Sequence, residues 1–281
     1  MKNLLSATFA RLFKGKLFWI GMLAMGGFGA VATIARARDA YILQDMGYDT
    51  PDGLLFIGLT YFLITAAVFD SLFIGAEHAD GTWRNKLIVG QGKVQIYLTY
   101  LTVTTAATLL MHLAYIGVVL GLSAPLLNPF LTPTKMNVVF FFCSLATVVA
   151  MNALMVTLCM LIQNRAVIAV SAMLLAIGLM MGGMTIYQML SAPEFLEGAI
   201  VSIDGMPMPS PDPVPNPKYL TGAKRTFFQF LHDFLPGGQA LTIGMTGELP
   251  ESVWRLPVFS ALLTLLSTFG GAWGFCRRDL K

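Results

Sequence analysis

Glu77-His-Ala-Asp-Gly-Thr-Trp-Arg-Asn-Lys-Leu-Ile-Val-Gly90 is a compact polar run between two long apolar ones. Outward from it, the chain is mostly hydrocarbon in character. Of 281 residues, 56% are apolar and only 12% charged, with a mean hydropathy of +0.70, more than a soluble core of this length needs to bury. The composition predicts an all-α, polytopic membrane protein in one transmembrane domain, residues 1–281.

Crossing a hydrocarbon layer of ~30 Å takes about 20 mostly apolar residues, because backbone groups cannot be left unpaired in lipid. Six stretches qualify: Leu17 to Ala35, Gly53 to Phe69, Val94 to Gly121, Asn137 to Ile162, Ala166 to Met189 and Pro257 to Phe275. The second is short and is expected to run on through Asp70 to Gly75. Segment 76–93 is then a loop between the second and third spans, and 191–256 a large loop before the last.

Excess Lys and Arg marks the cytoplasmic side. With both termini there, that side holds Lys2, Arg11, Lys14, Lys16, Arg84, Lys86, Lys93, Arg165, Arg277, Arg278 and Lys281, against the acids Glu77, Asp80 and Asp279. Arg36 and Arg38, just after the first span, run against this orientation. In residues 1–16, Leu5, Phe9 and Leu12 recur at helical spacing beside Arg11, Lys14 and Lys16, which predicts an amphipathic helix on the membrane surface. A signal peptide is the rival reading, and the long leader and near-span apolar stretch speak against it.

Cys143 and Cys159 lie sixteen residues apart on one predicted helix, about 24 Å, so they cannot bridge; the cysteines read as apolar packing residues. The third span carries Tyr97, Tyr100, Thr104, Thr108, His112 and Tyr115 at steps of three and four, one stripe along a helix. Such a stripe either hydrogen-bonds to neighbouring helices or lines a substrate path. Gly117 to Gly121, Gly178 to Gly182 and Gly270 to Gly274 are small-residue pairs that allow close helix packing, a dimer seam included. Met173, Met180, Met181, Met184 and Met189 in the fifth span suit either core filling or a surface that repacks.

In the large loop, proline holds every second position from Pro207 to Pro217, which forces an extended course and reads as a stiff spacer. Lys218 to Pro236 follows as an amphipathic helix with Phe227, Leu231 and Phe234 on one side, an interfacial or re-entrant cap over an outward exit. Catalytic signatures are missing: there is no H-E-x-x-H, no G-x-S-x-G and no zinc-spaced Cys and His cluster. Gly90-Gln-Gly-Lys93 fails as a Walker A loop, having Leu87 and Val94 where glycine and Ser or Thr are needed.

Glu77-His-Ala-Asp-Gly-Thr-Trp-Arg-Asn-Lys86 after a second span, with Leu-Ile-Val-Gly and Ile96-Tyr-Leu opening a third, resembles the ABC type-2 transporter permease family. The similarity extends over nearly the whole chain: the N-terminal surface helix, six spans, the large loop before the last and the Arg277-Arg278-Asp279-Leu280-Lys281 tail. It implies a bacterial plasma-membrane subunit, not itself an enzyme, that pairs with a second permease, identical or homologous, and with two ATPase subunits. The resemblance places ATP and Mg on those partners and no cofactor in this chain. It also makes segment 76–93 a coupling element seated in an ATPase groove, through Glu77, Asp80, Gly81, Thr82, Arg84, Asn85 and Lys86, with Arg165 as a second, smaller contact. Charge complementarity at Glu77, Asp80, Arg84 and Lys86, a bend at Gly81 and an interface anchor at Trp83 agree physically with that role.

A bundle with few buried charges suits hydrophobic or amphipathic cargo in a lipid bilayer, such as a peptide, a lipid-like molecule or a drug, and not nucleic acid; the family resemblance implies an antimicrobial peptide first. Two other classes stay open. A secondary transporter or channel without an ATPase needs an ionisable residue at depth, for which His112 and Asp70 are the candidates. A membrane-embedded enzyme needs a catalytic constellation.

Overall fold

A computed structural model describes residues 2–42, 50–198, 200–203, 206–210, 212–245, 249–250 and 252–278, with 200–203 and 206–209 described by backbone alone. The tail positions Asp279, Leu280 and Lys281 and the prolines at 211 and, as a side chain, 207 and 209 lie outside this description.

All six expected spans are helices: α2 (Lys16–Ile42), α3 (Leu54–Ala79), α5 (Lys93–Leu126), α6 (Thr134–Leu161), α7 (Arg165–Leu190) and α10 (Arg255–Arg277). Each is long and apolar enough to cross a bilayer. Shorter helices are α1 (Lys2–Lys14), α4 (Thr82–Ile88), α8 (Gly222–Phe234) and α9 (Pro236–Met245). α1, α4 and the ends of α3 and α10 gather at one end of the bundle, the termini end; the described residues of segment 191–254 lie at the other, the loop end.

Burial ranks the spans. In α3 and α6, 61% and 56% of the most apolar stretch is buried, against 22% in α2 and α7, so α3 and α6 form the centre and the others flank them. α6 packs chiefly on α10, α2 on α5, and α3 on α7. Tyr97, Tyr115, Phe62, Phe69, Phe140 and Phe275 fill the interior.

Four exposed Trp and Tyr rings mark two levels. Trp19 and Trp273 stand out at the termini end, Tyr41 and Trp254 at the loop end. Trp19 to Tyr41 on α2 is about 33 Å and Trp254 to Trp273 along α10 about 29 Å at 1.5 Å per residue, matching the hydrocarbon thickness. Amphipathic rings prefer such interfaces, so the bundle is a membrane protein on two independent grounds.

Several local expectations change. α3 runs ten residues beyond Phe69, so Glu77 sits on a helix and not in a loop. Gly81 at φ 60° then makes the left-handed turn into α4, and Gly90 at φ 87° ends the segment after it. α1 buries Leu4, Thr8 and Leu12, with Leu5 and Phe9 only half-buried on its shoulder. Arg36 donates to the Thr50 carbonyl oxygen at 3.2 Å, giving the orientation-breaking cation a local partner.

The small-residue pairs also differ. A Cβ at Gly117, Gly121, Gly178, Gly182 or Gly270 meets no described atom within 4 Å, and only Gly274 abuts a neighbour, Leu161. Close approach is made instead at Gly58, where a Cβ would stand 2.5 Å from the Tyr115 ring, and at Gly237, where it would meet the Leu179 carbonyl. In α7, Met181 and Met184 face outward, Met180 packs against the core, and none of the five methionines is fully buried, so core filling describes only part of the set.

Segment 195–215 folds as two short antiparallel pairs, β1 (Phe195–Leu196) with β4 (Val214–Pro215) and β2 (Ile200–Ile203) with β3 (Met206–Pro209). The proline tract is extended, as expected, but paired. Prolines at alternate positions leave donors only at Met206 and Met208 on β3, the alternation that an antiparallel ladder uses, while the donor-free edge resists further pairing.

Candidate functional site: an ion cluster under a short exposed helix

At the termini end, one carboxylate joins four helices. Glu77, on the last turn of α3, is 3% exposed. Arg11 of α1 pairs with one of its oxygens, and Lys86 and Thr82 of α4 bond the other. Lys86 also donates to the Tyr100 hydroxyl of α5 at 2.5 Å, and Arg11 reaches the Phe73 carbonyl at 3.3 Å. Both cations lie over rings, Arg11 4.9 Å from Phe73 and Lys86 4.8 Å from Tyr100. Burial, and then the Arg11 guanidinium, push the Lys86 amine down to about 8.

α4 has seven residues, too few to hold helical form alone. Trp83 fixes it: 4% exposed, its ring sits 4.7 Å from Tyr100, 5.3 Å from His78 and 5.8 Å from Phe275 of α10. Two further ties bind the helix ends together. His78 Nε2 bonds the Cys159 carbonyl of α6 at 3.2 Å, and Lys93 donates to the carbonyls of Cys276 and Arg278 at 3.1 and 2.6 Å.

The expected coupling residues therefore divide. Glu77 is buried and Thr82 and Lys86 are half-buried, all three holding α4, and Trp83 anchors that helix to the bundle. Asp80, Gly81, Arg84 and Asn85 are exposed, as is Arg165 on the turn from α6, where Asn164 caps α7 by accepting from Ala166 and Val167. Ile88 and Val89, 74% and 77% exposed, complete that outer face and were not singled out from sequence. Their signal was their place one turn beyond Arg84 and Asn85 on a helix too short to read by periodicity.

The stripe on α5 is wholly buried. Tyr97 pairs with Thr157 at 2.9 Å, His112 with Ser144 at 3.0 Å, and Tyr115 donates to the Leu54 carbonyl at 2.7 Å. Thr108 bonds its own helix at the Thr104 carbonyl. Asn152 of α6 sits between Thr104, Thr105 and Asp70; with its amide nitrogen toward Asp70 it donates at 3.1 Å and its oxygen accepts from both threonines. These contacts make the stripe an adhesive between α5 and its neighbours, and its polar groups do not face an open path within this chain.

At the loop end α8 lies with its apolar face outward, as the interfacial alternative expects, and does not enter the bundle. Phe227 is 57% exposed and Leu231 and Phe234 half-buried, while His232 and Asp233 face inward. The element that enters the bundle is α9, buried nearly throughout against α3, α6 and α7. Its Gln239 ties three elements: the amide nitrogen donates to the Asp233 carbonyl at 2.8 Å, and the oxygen accepts from Thr147 and Ser260 at 3.0 and 2.6 Å. Pro236 starts this helix as well as stopping α8, the preferred first-turn use of proline.

Among the described residues no group of three or more His, Cys, Asp or Glu side chains could hold a metal ion. No protein-family model matches the chain, and the search of characterised proteins also returned no match.

Proposed function

We propose that this chain is the permease subunit of an ATP-driven ABC exporter in a bacterial plasma membrane, with both termini cytoplasmic and α1 on the inner surface. The observation that carries this reading is the outer face of α4. Asp80, Arg84, Asn85, Ile88 and Val89 form a mixed charged and apolar surface on a helix clamped by Glu77 to α1, α3 and α5. A partner pressing there moves four helices at once, because neither α4 nor α1 can shift without breaking the cluster.

ATP and Mg belong to two separate ATPase subunits, and a second permease, identical or homologous, completes the path. The weakly polar, lipid-facing surfaces of α5 and α7 support a path formed between subunits for a hydrophobic or amphipathic cargo such as an antimicrobial peptide, lipid-like molecule or drug. Segment 191–254 lies outside the cell in this orientation. Transport by vesicles holding the chain and its ATPase should require ATP and fail with Arg84→Glu; unimpaired transport in that variant overturns the coupling role of α4.

A carrier driven by an ion gradient is the second reading, favoured by Asp70, fully buried on α3 with an amide as its side-chain partner. Collapse of the proton gradient stops transport on that reading and leaves it running on the first.

A further inference from the structure

A cleft of about 200 Å³ opens at the loop end between the last turn of α7, α8, α9 and the residues Pro250, Ser252, Val253 and Leu256. Arg225, Gln229, His232 and Asp233 of α8 line it, with Tyr187 and Ser191 of α7 opposite. His232 is 5% exposed, yet neither ring nitrogen has a hydrogen-bond partner; Nδ1 stands 3.7 Å from Asp233 and the ring lies 6.0 Å from Tyr187. An idle buried imidazole is costly, and an occupant of the cleft that donates to its acceptor nitrogen offsets part of that cost.

The charges of the wall select that occupant. Arg225 and Asp233 stand two turns apart on α8, about 12 Å along the axis, with His232 between. Asp233 keeps acceptor capacity: Gln229 donates to Oδ1 at 2.9 Å, and Arg255 stands 3.8 Å from Oδ2. Arg225 spends its donors only on the Leu220 and Leu190 carbonyls, at 3.5 and 3.3 Å. With a guanidinium at one end and a carboxylate at the other, the wall matches a zwitterion that reaches both.

The other face of α8 names the source. Phe227 and Phe230 are 57% and 47% exposed, Phe230 meets Phe259 of α10 edge-on, and Trp254 beside the cleft is 61% exposed. Acyl chains would cover this surface, which a free metabolite has no use for. The geometry points to a headgroup site for an ethanolamine phospholipid, with phosphate toward Arg225 and the primary ammonium toward Asp233 and His232. A choline headgroup is excluded because its quaternary nitrogen carries no N–H to donate. The site stands apart from the ATP-driven reading, since no ATPase takes part in it.

Native mass spectrometry of the purified chain, delipidated and then titrated with phosphatidylethanolamine or phosphatidylcholine, tests it. The ethanolamine lipid should be retained about tenfold more strongly, and His232→Gln and Asp233→Asn should each abolish the preference. On the unaltered protein, free phosphoethanolamine should release the bound lipid and phosphocholine should not. Equal retention of the two lipids, or a preference that survives both substitutions, overturns the assignment. Binding of free phosphoethanolamine without any preference among lipids overturns the lipid source.

Discussion

Glu77 is the residue on which the termini end depends. Glu77→Gln keeps its size but leaves Arg11 and Lys86 facing each other, with Arg11 partly solvated, so the cost is about 2–3 kcal/mol, below that of a fully buried pair. A lowered thermal midpoint in detergent checks this. Arg84→Ala touches only an exposed side chain and should change stability by less than about 0.5 kcal/mol while impairing ATP-driven transport. The same two residues separate holding α4 from using it.

Lys86 adds a pH dependence. Its amine sits at about 8 in the docked helix and would return to its ordinary 10.5 if α4 detached. From about pH 8 to 10.5 the detached form binds more protons, so docking strengthens as pH rises through that window. Hydrogen exchange of α4, corrected for the intrinsic rate, should therefore slow relative to α8 between pH 8 and 10; a faster corrected exchange contradicts the assignment.

Among elements, contacts between helices rest on particular glycines and one amide. Gly58→Ala drives a methyl into the Tyr115 ring and should cost about 1–3 kcal/mol, whereas Gly117→Ala meets open space and should cost nothing in the isolated chain. Gln239→Leu removes these hydrogen bonds and strands Ser260, while Thr147 keeps its bond to the Cys143 carbonyl, with a comparable loss expected in a thermal melt. If Gly117→Ala proves as damaging as Gly58→Ala, the packing described for α5 is wrong.

For the molecule as a whole, hydropathy made the six spans legible, because each needs its own run of apolar residues. Which charged residues face inward was not legible. Glu77 and Asp80 are three residues apart and chemically alike, but α3 ends between them, and that boundary alone buries one and exposes the other. Local pattern also missed α9, whose Pro236-Gly-Gly opening reads as a loop and becomes a helix only because α3, α6 and α7 enclose it. The α5 stripe was visible as a stripe, and its partners Thr157, Ser144 and Asn152 lie too far along the chain for spacing to reveal.

The coupling role of α4 is tested most directly by gentle purification of the chain from its native membrane, as wild type and as the Arg84→Glu, Ile88→Asp double variant. The wild type should carry with it an ATPase subunit bearing a Walker A motif, and the variant should lose that subunit while keeping its helix content and thermal midpoint. A chain that elutes alone in both forms, and moves its cargo in vesicles without ATP, contradicts the account.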